Sequence, residues 1–182
     1  MQKDSILNII LVGVGLCIVC GAVISTVAVS LRDQQEQNVI FDQQSKIIDA
    51  ARLLEVYPSS QEALASIEEV VVNLNDGQPS SFPPEQYDLD SILRDSSQHT
   101  VLNGSEDIAM ISVRENLSKV YIEYRNNELK TLILPVRGYG LWGTLYGYLA
   151  LDSDLNTIVG LEFYKHKETP CLLYTSPSPR DV

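Results

Sequence analysis

The feature that most constrains this chain is a long apolar stretch, residues 6–31, which contains no charged side chain. As a helix it would be about 39 Å long at about 1.5 Å per residue, whereas the hydrocarbon core of a bilayer is about 30 Å thick. A cleaved signal peptide would instead combine a basic start with an apolar stretch of only about 7–15 residues. Lys3 is the only basic residue before this stretch. We therefore expect residues 1–31 to be an uncleaved, single-pass transmembrane anchor.

The rest of the chain is acidic. All but one of the 24 acidic and all but one of the 13 basic residues follow the apolar stretch, and the net charge is −11. Such a domain repels nucleic acid, so we expect no nucleic-acid partner. The positive-inside rule gives little contrast, because Lys3 and Arg32 flank the stretch on opposite sides. Since a long acidic domain can be translocated regardless of its charge, we place the amino terminus inside and the domain outside.

Small residues recur every four positions along the apolar stretch, at Gly13, Cys17, Gly21 and Ser25. This spacing forms a ladder that would let another helix approach closely, although small residues are also common in membrane helices that have no such partner. Cys17 and Cys20 form a Cys-x-x-Cys pair, which in a soluble loop suggests metal or redox chemistry. Inside a lipid-embedded helix without nearby histidine, we interpret both as small apolar packing residues.

Two helical segments are predicted over residues 32–77, which we assign to a helical stalk. The first is amphipathic and ends at Pro58. Ser59 and Glu62 then resemble a capping box that opens a second helix. The apolar stripe of that second helix is Leu64, Ile67, Val71 and Leu74, and Asp76-Gly77 would stop it.

A change of pattern after residue 78 predicts a sheet. A Pro- and Ser-rich loop comes first, and apolar residues then alternate with polar ones, as in half-buried strands. Asn126-Asn127 is suited to a tight turn because Asn tolerates positive φ. The predicted strands are residues 108–113, 120–125, 129–136, 144–151 and 157–164, with a second turn at residues 153–154. The fold class is therefore α+β, with an antiparallel-sheet domain over residues 78–170.

Catalytic motifs are scarce. The sequence has no Gly-x-Ser-x-Gly elbow, phosphate loop or dinucleotide fingerprint, which argues against direct NADH binding through a Rossmann unit. Neither histidine belongs to a cluster with metal-ligand spacing, so we predict no metal site. His99 is expected in a solvated polar loop, and His166, between two lysines, at the surface.

Two segments are chemically unusual. Residues 137–143 hold three glycines and Trp142, the only tryptophan. Glycines let the backbone approach another group closely, and an indole offers a flat apolar face. The loop could therefore hold a planar cofactor, or Trp142 could fill the core beside a tight sheet connection. Glu168-Thr169-Pro170 follows a predicted strand and could hydrogen-bond a ligand, or be an ordinary loop.

These segments carry a family resemblance. Gly-Tyr-Gly-Leu-Trp-Gly at residues 138–143, Gly-Leu-Glu-Phe-Tyr at 160–164 and His-Lys-Glu-Thr-Pro at 166–170 closely resemble the C subunit of the bacterial sodium-translocating NADH:quinone oxidoreductase. Lys-Asp-Ser at residues 3–5, the Cys-containing apolar stretch and Leu-Arg at 31–32 also agree. The resemblance covers residues 1–170.

The resemblance implies an FMN-carrying electron-relay subunit. It places the chain in the bacterial inner membrane with its globular domain in the periplasm. Its partners would be the other membrane subunits of a complex that oxidises NADH, reduces ubiquinone and exports sodium. The implied flavin-contacting positions are Gly138, Gly140, Leu141, Trp142, Glu168 and Thr169. Their role would be to bind and shape the flavin pocket, and the chain by itself is not expected to be active.

The chain departs from the family pattern after residue 170. The family continues with Gly-Leu-Gly and later has a Ser-Gly-Ala-Thr motif whose threonine carries FMN through its phosphate, but that motif does not occur here. Residues 171–182 contain Ser-Pro repeats without alternation and are expected to be a non-native tail. We therefore expect an incomplete flavin domain without covalent FMN attachment, and Thr175 does not inherit that role.

Two other functions stay open at this point. One is the FMN subunit of the related ion-pumping ferredoxin:NAD oxidoreductase complex. The Lys-Asp-Ser start and the long stalk favour the quinone-reductase member instead. The other is a membrane-anchored interaction domain without a cofactor, which the missing attachment motif would favour.

Overall fold

The structure is a computed structural model and describes residues 6–169. Its contacts divide it into two compact units, with the boundary between Phe41 and Asp42. The expected tail, residues 171–182, lies outside the described residues. The elements in chain order are α1 (Ile6–Ala50), a 3-10 turn (Leu53–Glu55), α2 (Ser60–Ala65), β1 (Ile67–Asn73), a second 3-10 turn (Pro84–Gln86), α3 (Leu89–Arg94), β2 (His99–Val101), β3 (Val113–Glu115), β4 (Leu117–Arg125), β5 (Glu128–Tyr139), β6 (Thr144–Asp152) and β7 (Ile158–Lys165).

Helix α1 contains the apolar stretch. Among the described residues it is the one helix long and apolar enough to cross a membrane, with a hydropathy of 2.6 in its most apolar window. None of that window is buried inside the protein. The large apolar side chains of that window are exposed, as expected of a helix segment whose solvent is lipid.

The second unit is built on an antiparallel sheet in the order β1-β4-β5-β6-β7, and β2 pairs with β3 in a separate two-stranded sheet. The predicted α+β class is confirmed. The Asn126-Asn127 turn joins β4 to β5, and both asparagines have positive φ (54° and 65°). The β6–β7 hairpin also lies where the alternation predicts it.

The second predicted helix is wrong beyond its first turns. The Ser59 side chain does cap α2, accepting a hydrogen bond from the Glu62 N–H at 3.3 Å. Residues 67–73, however, form β1, which pairs with β4 in the main sheet. Four of these seven residues are β-branched (Ile67, Val70, Val71 and Val72), and such side chains favour strands. The predicted domain boundaries themselves stay a prediction.

The strand predicted over residues 108–113 is also wrong. Residues 103–112 form a loop, in which the Asp107 carboxylate accepts hydrogen bonds from the N–H groups of Ile111 and Ser112, both at 2.8 Å. Met110 and Ser112 have positive φ (52° and 64°), which interrupts an extended backbone. Strand β3 therefore begins only at Val113.

The core lies between the end of α1 and one face of the main sheet. Ile47, Ile48 and Ala50 of α1 pack with Tyr121, Ile133, Tyr148 and Ala150 of the central strands. A Cβ at Gly160 would overlap the carbonyl oxygen of Ala50, so this glycine lets the last turn of α1 close against β7.

One carboxylate is fully buried in this core. Glu123 on β4 has no exposed surface and accepts hydrogen bonds from Tyr57 at 3.0 Å, Arg125 at 2.6 Å and Thr131 at 2.8 Å. Burial alone would raise the pKa of Glu123, but the three donors outweigh it and hold the pKa below its usual range. Glu123 thus ties the turn after α1 to the sheet.

Candidate functional site

The glycine-rich segment is the connection between two long strands. Strand β5 ends at Tyr139 and β6 begins at Thr144, and these two residues face each other across the hairpin. The Gly140 N–H donates to the Gly143 carbonyl oxygen at 2.8 Å, so residues 140–143 form a closed turn. The rigid hairpin therefore fixes where this turn is presented.

The second unusual segment lies directly against this turn. The backbone N–H of Trp142 donates to the Glu168 carboxylate, with 2.9 Å between the nitrogen and Oε1. A Cβ at Gly140 would overlap that carboxylate, and a Cβ at Gly143 would lie 2.7 Å from Cδ of Lys167. Both glycines therefore leave space for the segment over residues 167–168 to close on the turn.

The turn presents its large side chains to the outside. Leu141 is 72% exposed and Trp142 is 63% exposed. The alternative in which Trp142 fills the core is therefore wrong. Thr169 is also exposed beside the turn. Together these residues offer a flat apolar surface bordered by polar groups, which suits one side of a planar ring system.

The base of the turn is held by contacts that the sequence did not predict. Arg137 is mostly buried, and its Nη2 donates to the Val113 carbonyl oxygen at 2.6 Å and to the Glu115 carboxylate at 2.7 Å. The Tyr139 N–H donates to the Ala109 carbonyl oxygen at 2.8 Å. These partners lie in β3 and in the loop before it, where a strand had been expected, so no local pattern pointed to them.

Of the two glycines predicted to contact the flavin, Gly138 is the one where the surrounding atoms leave room for a side chain. A Cβ there would lie 3.8 Å from Ala109, which is ordinary van der Waals contact. Gly138 belongs to β5, and its partner across the hairpin is Leu145. The other five positions gather at the turn and the segment closing on it.

Neither histidine is fully exposed. His99 lies in β2 rather than in a solvated loop, and it is half-buried. His166 is also half-buried, with Nδ1 3.2 Å from the Glu168 carbonyl oxygen. Within residues 6–169, no group of three or more His, Cys, Asp or Glu side chains is placed to hold a metal ion.

A cavity of about 210 Å³ lies on the same sheet face as the core and is lined by Gln43 of α1 and by residues of the sheet. Its aromatic wall includes Tyr148, whose ring stacks on Tyr164 at 4.8 Å and meets Tyr121 edge-on at 5.7 Å. Burial raises the pKa of all three phenols, and it raises the pKa of Tyr87 to about 12. These tyrosines are therefore neutral at physiological pH.

Comparison with known proteins agrees with the geometry. Residues 140–177 match a family model described as an FMN-binding domain, and this range contains five of the six predicted flavin-contacting residues. The chain is 39% identical to the C subunit of the Na(+)-translocating NADH-quinone reductase of Pseudomonas aeruginosa, over 94% of this chain and 67% of the relative. It is 35% identical to the same subunit of Vibrio alginolyticus, over 99% of this chain and 72% of the relative.

The solved structures give the same result. The crystal structure of Shewanella oneidensis NqrC is similar with a TM-score of 0.62 and 28% sequence identity, covering 70% of this chain and 59% of that chain. This chain thus spans about two thirds of the length of the curated relatives that it matches. The matched FMN-binding region supports FMN as the cofactor. The chain belongs to the family formed by the C subunit of the Na(+)-translocating NADH-quinone reductase.

Proposed function

We propose that this chain carries FMN as an electron relay in a sodium-translocating NADH:quinone reductase, with the flavin held non-covalently at the turn over residues 140–143. The observation that carries this proposal is the hydrogen bond from the Trp142 N–H to Glu168. It joins the two segments that the sequence singled out separately, and both bonded residues lie inside the FMN-binding match.

The residues at the turn fit a flavin in complementary ways. Leu141 and Trp142 supply apolar area that a planar ring can cover, excluding water from one of its faces. Gly140 leaves space for the Glu168 carboxylate to close on the turn, and Gly138 adds no side chain at its base. Glu168 keeps the turn closed, and the exposed hydroxyl of Thr169 is a donor for a ring oxygen or a phosphate.

In this proposal, the different reaction steps belong to different subunits of the complex. FMN supplies the electron-transfer chemistry when bound, and the protein binds it, shields it and sets its potential. Because the sequence has no dinucleotide fingerprint, another subunit would oxidise NADH. Ubiquinone reduction and sodium export would be activities of the whole complex, as the names of the relatives suggest.

The anchor and the charge fit this role. Helix α1 would hold the chain in the bacterial inner membrane beside the other membrane subunits, with the small-residue ladder as a contact face. The acidic domain would lie in the periplasm. Protease added to intact spheroplasts should then digest the domain, whereas protection until the membrane is opened would contradict this orientation.

Binding is tested by titrating FMN with the full chain in detergent and following flavin fluorescence. We expect saturable binding that Trp142→Ala weakens, because the flat surface is lost. Leu155→Ala is a matched control, since Leu155 is 53% exposed in the turn at the other end of β6. Equal affinity for both variants, or no binding by the unaltered chain, would contradict the proposed site.

The relay role needs a separate test. NADH should not bleach the flavin absorbance of the FMN-loaded chain by itself, but it should do so once the remaining subunits of the complex are added. Bleaching by NADH without those subunits would place NADH oxidation in this chain and contradict the proposal.

A further inference from the structure

The turn over residues 140–143, the proposed flavin site and hereafter the flavin turn, is held by a carboxylate on each side. On one side, Glu168 binds the turn directly through the Trp142 N–H. On the other side, Glu115 acts through Arg137, the residue before Gly138. The Glu115 and Arg137 side chains are only 11% and 9% exposed, so this ion pair lies largely out of water.

The buried pair is anchored to a different sheet from the turn. Arg137 belongs to β5 of the main sheet, whereas Glu115 and Val113 belong to β3. The same guanidinium nitrogen reaches both partners, at 2.7 Å to Glu115 and 2.6 Å to the Val113 carbonyl oxygen. Two residues later, Tyr139 bonds to Ala109 of the adjoining loop. The start of the turn is therefore braced from outside its own hairpin.

We infer that Arg137 and Glu115 are a positioning pair for the flavin, an inference that rests on the proposed function. The guanidinium fixes the end of β5 and with it the direction in which Leu141 and Trp142 face the ligand. Glu115 also neutralises the Arg137 charge at the base of the turn. The pair thus governs both the geometry and the electrostatics of the flavin environment without touching the reacting atoms.

The electrostatic role gives the two members of the pair opposite effects. Reduction places additional negative charge on a flavin, so a nearby cation favours the reduced form and a nearby anion opposes it. Glu115→Gln keeps the shape but leaves the Arg137 charge uncompensated, and should raise the flavin midpoint potential. Arg137→Gln leaves the Glu115 charge uncompensated and should lower it. A merely structural contact would not produce shifts of opposite sign.

The test uses the full chain in detergent, loaded with FMN and titrated spectroelectrochemically. We expect opposite shifts in potential for Glu115→Gln and Arg137→Gln. FMN affinity should fall roughly tenfold or more in both, by analogy with removal of outer-shell partners at metal sites. Arg137→Lys keeps the charge and should restore the potential.

Arg125→Gln is the matched control for loss of stability alone. Arg125 also pairs with a buried glutamate, at 2.6 Å, but it lies at the opposite end of the β4–β5 hairpin from the flavin turn. It should leave the flavin potential unchanged. Circular dichroism spectra identify any variant that fails to fold, and the isosteric Glu115→Gln then decides the question together with Arg137→Lys.

The outcomes separate the two proposals. If the unaltered chain binds no FMN, the proposed function fails and the positioning pair fails with it. If the unaltered chain binds FMN but both Gln variants at the pair shift the potential in the same direction, or no more than Arg125→Gln does, only the positioning pair is overturned.

Discussion

Replacing Glu123 with alanine should destabilise the second unit strongly, because this buried carboxylate holds three donors together. The hydroxyl of Thr131, itself a buried residue, would lose its only hydrogen-bond partner among the described residues, at a cost of about 1–3 kcal/mol. Breaking a buried ion pair by removing one member costs about 3–5 kcal/mol. The Arg125 side chain is 40% exposed and can regain water, so the lower end applies. We expect a loss of about 3 kcal/mol.

The assay is urea unfolding of the full chain in detergent, followed by circular dichroism. With a urea dependence of about 2 kcal/mol per molar, a loss of about 3 kcal/mol lowers the midpoint by about 1.5 M. Glu128→Ala is the matched control. Glu128 also pairs with a cation two residues further on, Lys130 at 2.9 Å, but its side chain is 72% exposed. Solvent screens such a pair, so its removal should leave the midpoint unchanged. If both variants lowered the midpoint equally, the burial argument would be refuted.

Three further predictions concern the same unit. The lowered pKa of Glu123 means that its stabilising effect is present above the unfolded-state pKa of about 4.3 and is lost as pH falls through the folded-state pKa. The difference in unfolding free energy between the unaltered chain and Glu123→Gln should therefore shrink on acidification. A constant difference between pH 7 and pH 3 would contradict this. Asn127 has a φ of 65°, so Asn127→Ala should lower the unfolding free energy by about 1 kcal/mol, measured by thermal unfolding, because alanine is strained at positive φ. Asn127→Gly should cause no measurable loss. Equal losses for the two variants would show that φ is not the cause. Gly160→Ala should lower the free energy of unfolding in urea by about 2 kcal/mol, because its Cβ would overlap the backbone of Ala50. The control Gly104→Ala places its Cβ in open space and should be neutral. Similar urea midpoints for the two variants would contradict the close approach of α1 to β7.

The hairpins could be predicted because their information is local. Alternation along β4 and β5 and the Asn126-Asn127 turn between them lie within one short segment, and a turn residue that tolerates positive φ fixes the register. The anchor was predictable for a similar reason, since length and lack of charge suffice to identify it.

Strand β1 could not be predicted in this way. Its apolar residues at positions 67 and 71 continue the helical spacing that begins at Leu64, so the pattern fits a helix as well as a strand. What decides the outcome is pairing with β4, about 50 residues further along the chain, where Ile67 faces Glu123 and Asn73 faces Leu117. A non-local contact of this kind leaves no trace in a short window of sequence.

The candidate site was likewise predictable only where the information is local in the sequence. The glycine turn and Glu168 were visible as unusual segments, and the glycines at positions 140 and 143 do meet side chains of the closing segment. That the Glu168 carboxylate binds the turn rather than facing solvent was not visible. The bond between Arg137 and Glu115 spans 22 residues and depends on the loop before β3, whose shape comes from Asp107 and positive φ values.

The exposed position of Trp142 gives the protein an optical label where a ligand is expected. Because this sole indole is already 63% exposed in the folded chain, unfolding should change its emission wavelength only slightly. The buried rings of Tyr121 and Tyr148 would instead report loss of the core through their near-ultraviolet dichroism. Tryptophan emission and tyrosine dichroism would therefore follow two different events, occupation of the turn and melting of the sheet, in a single sample without any added dye.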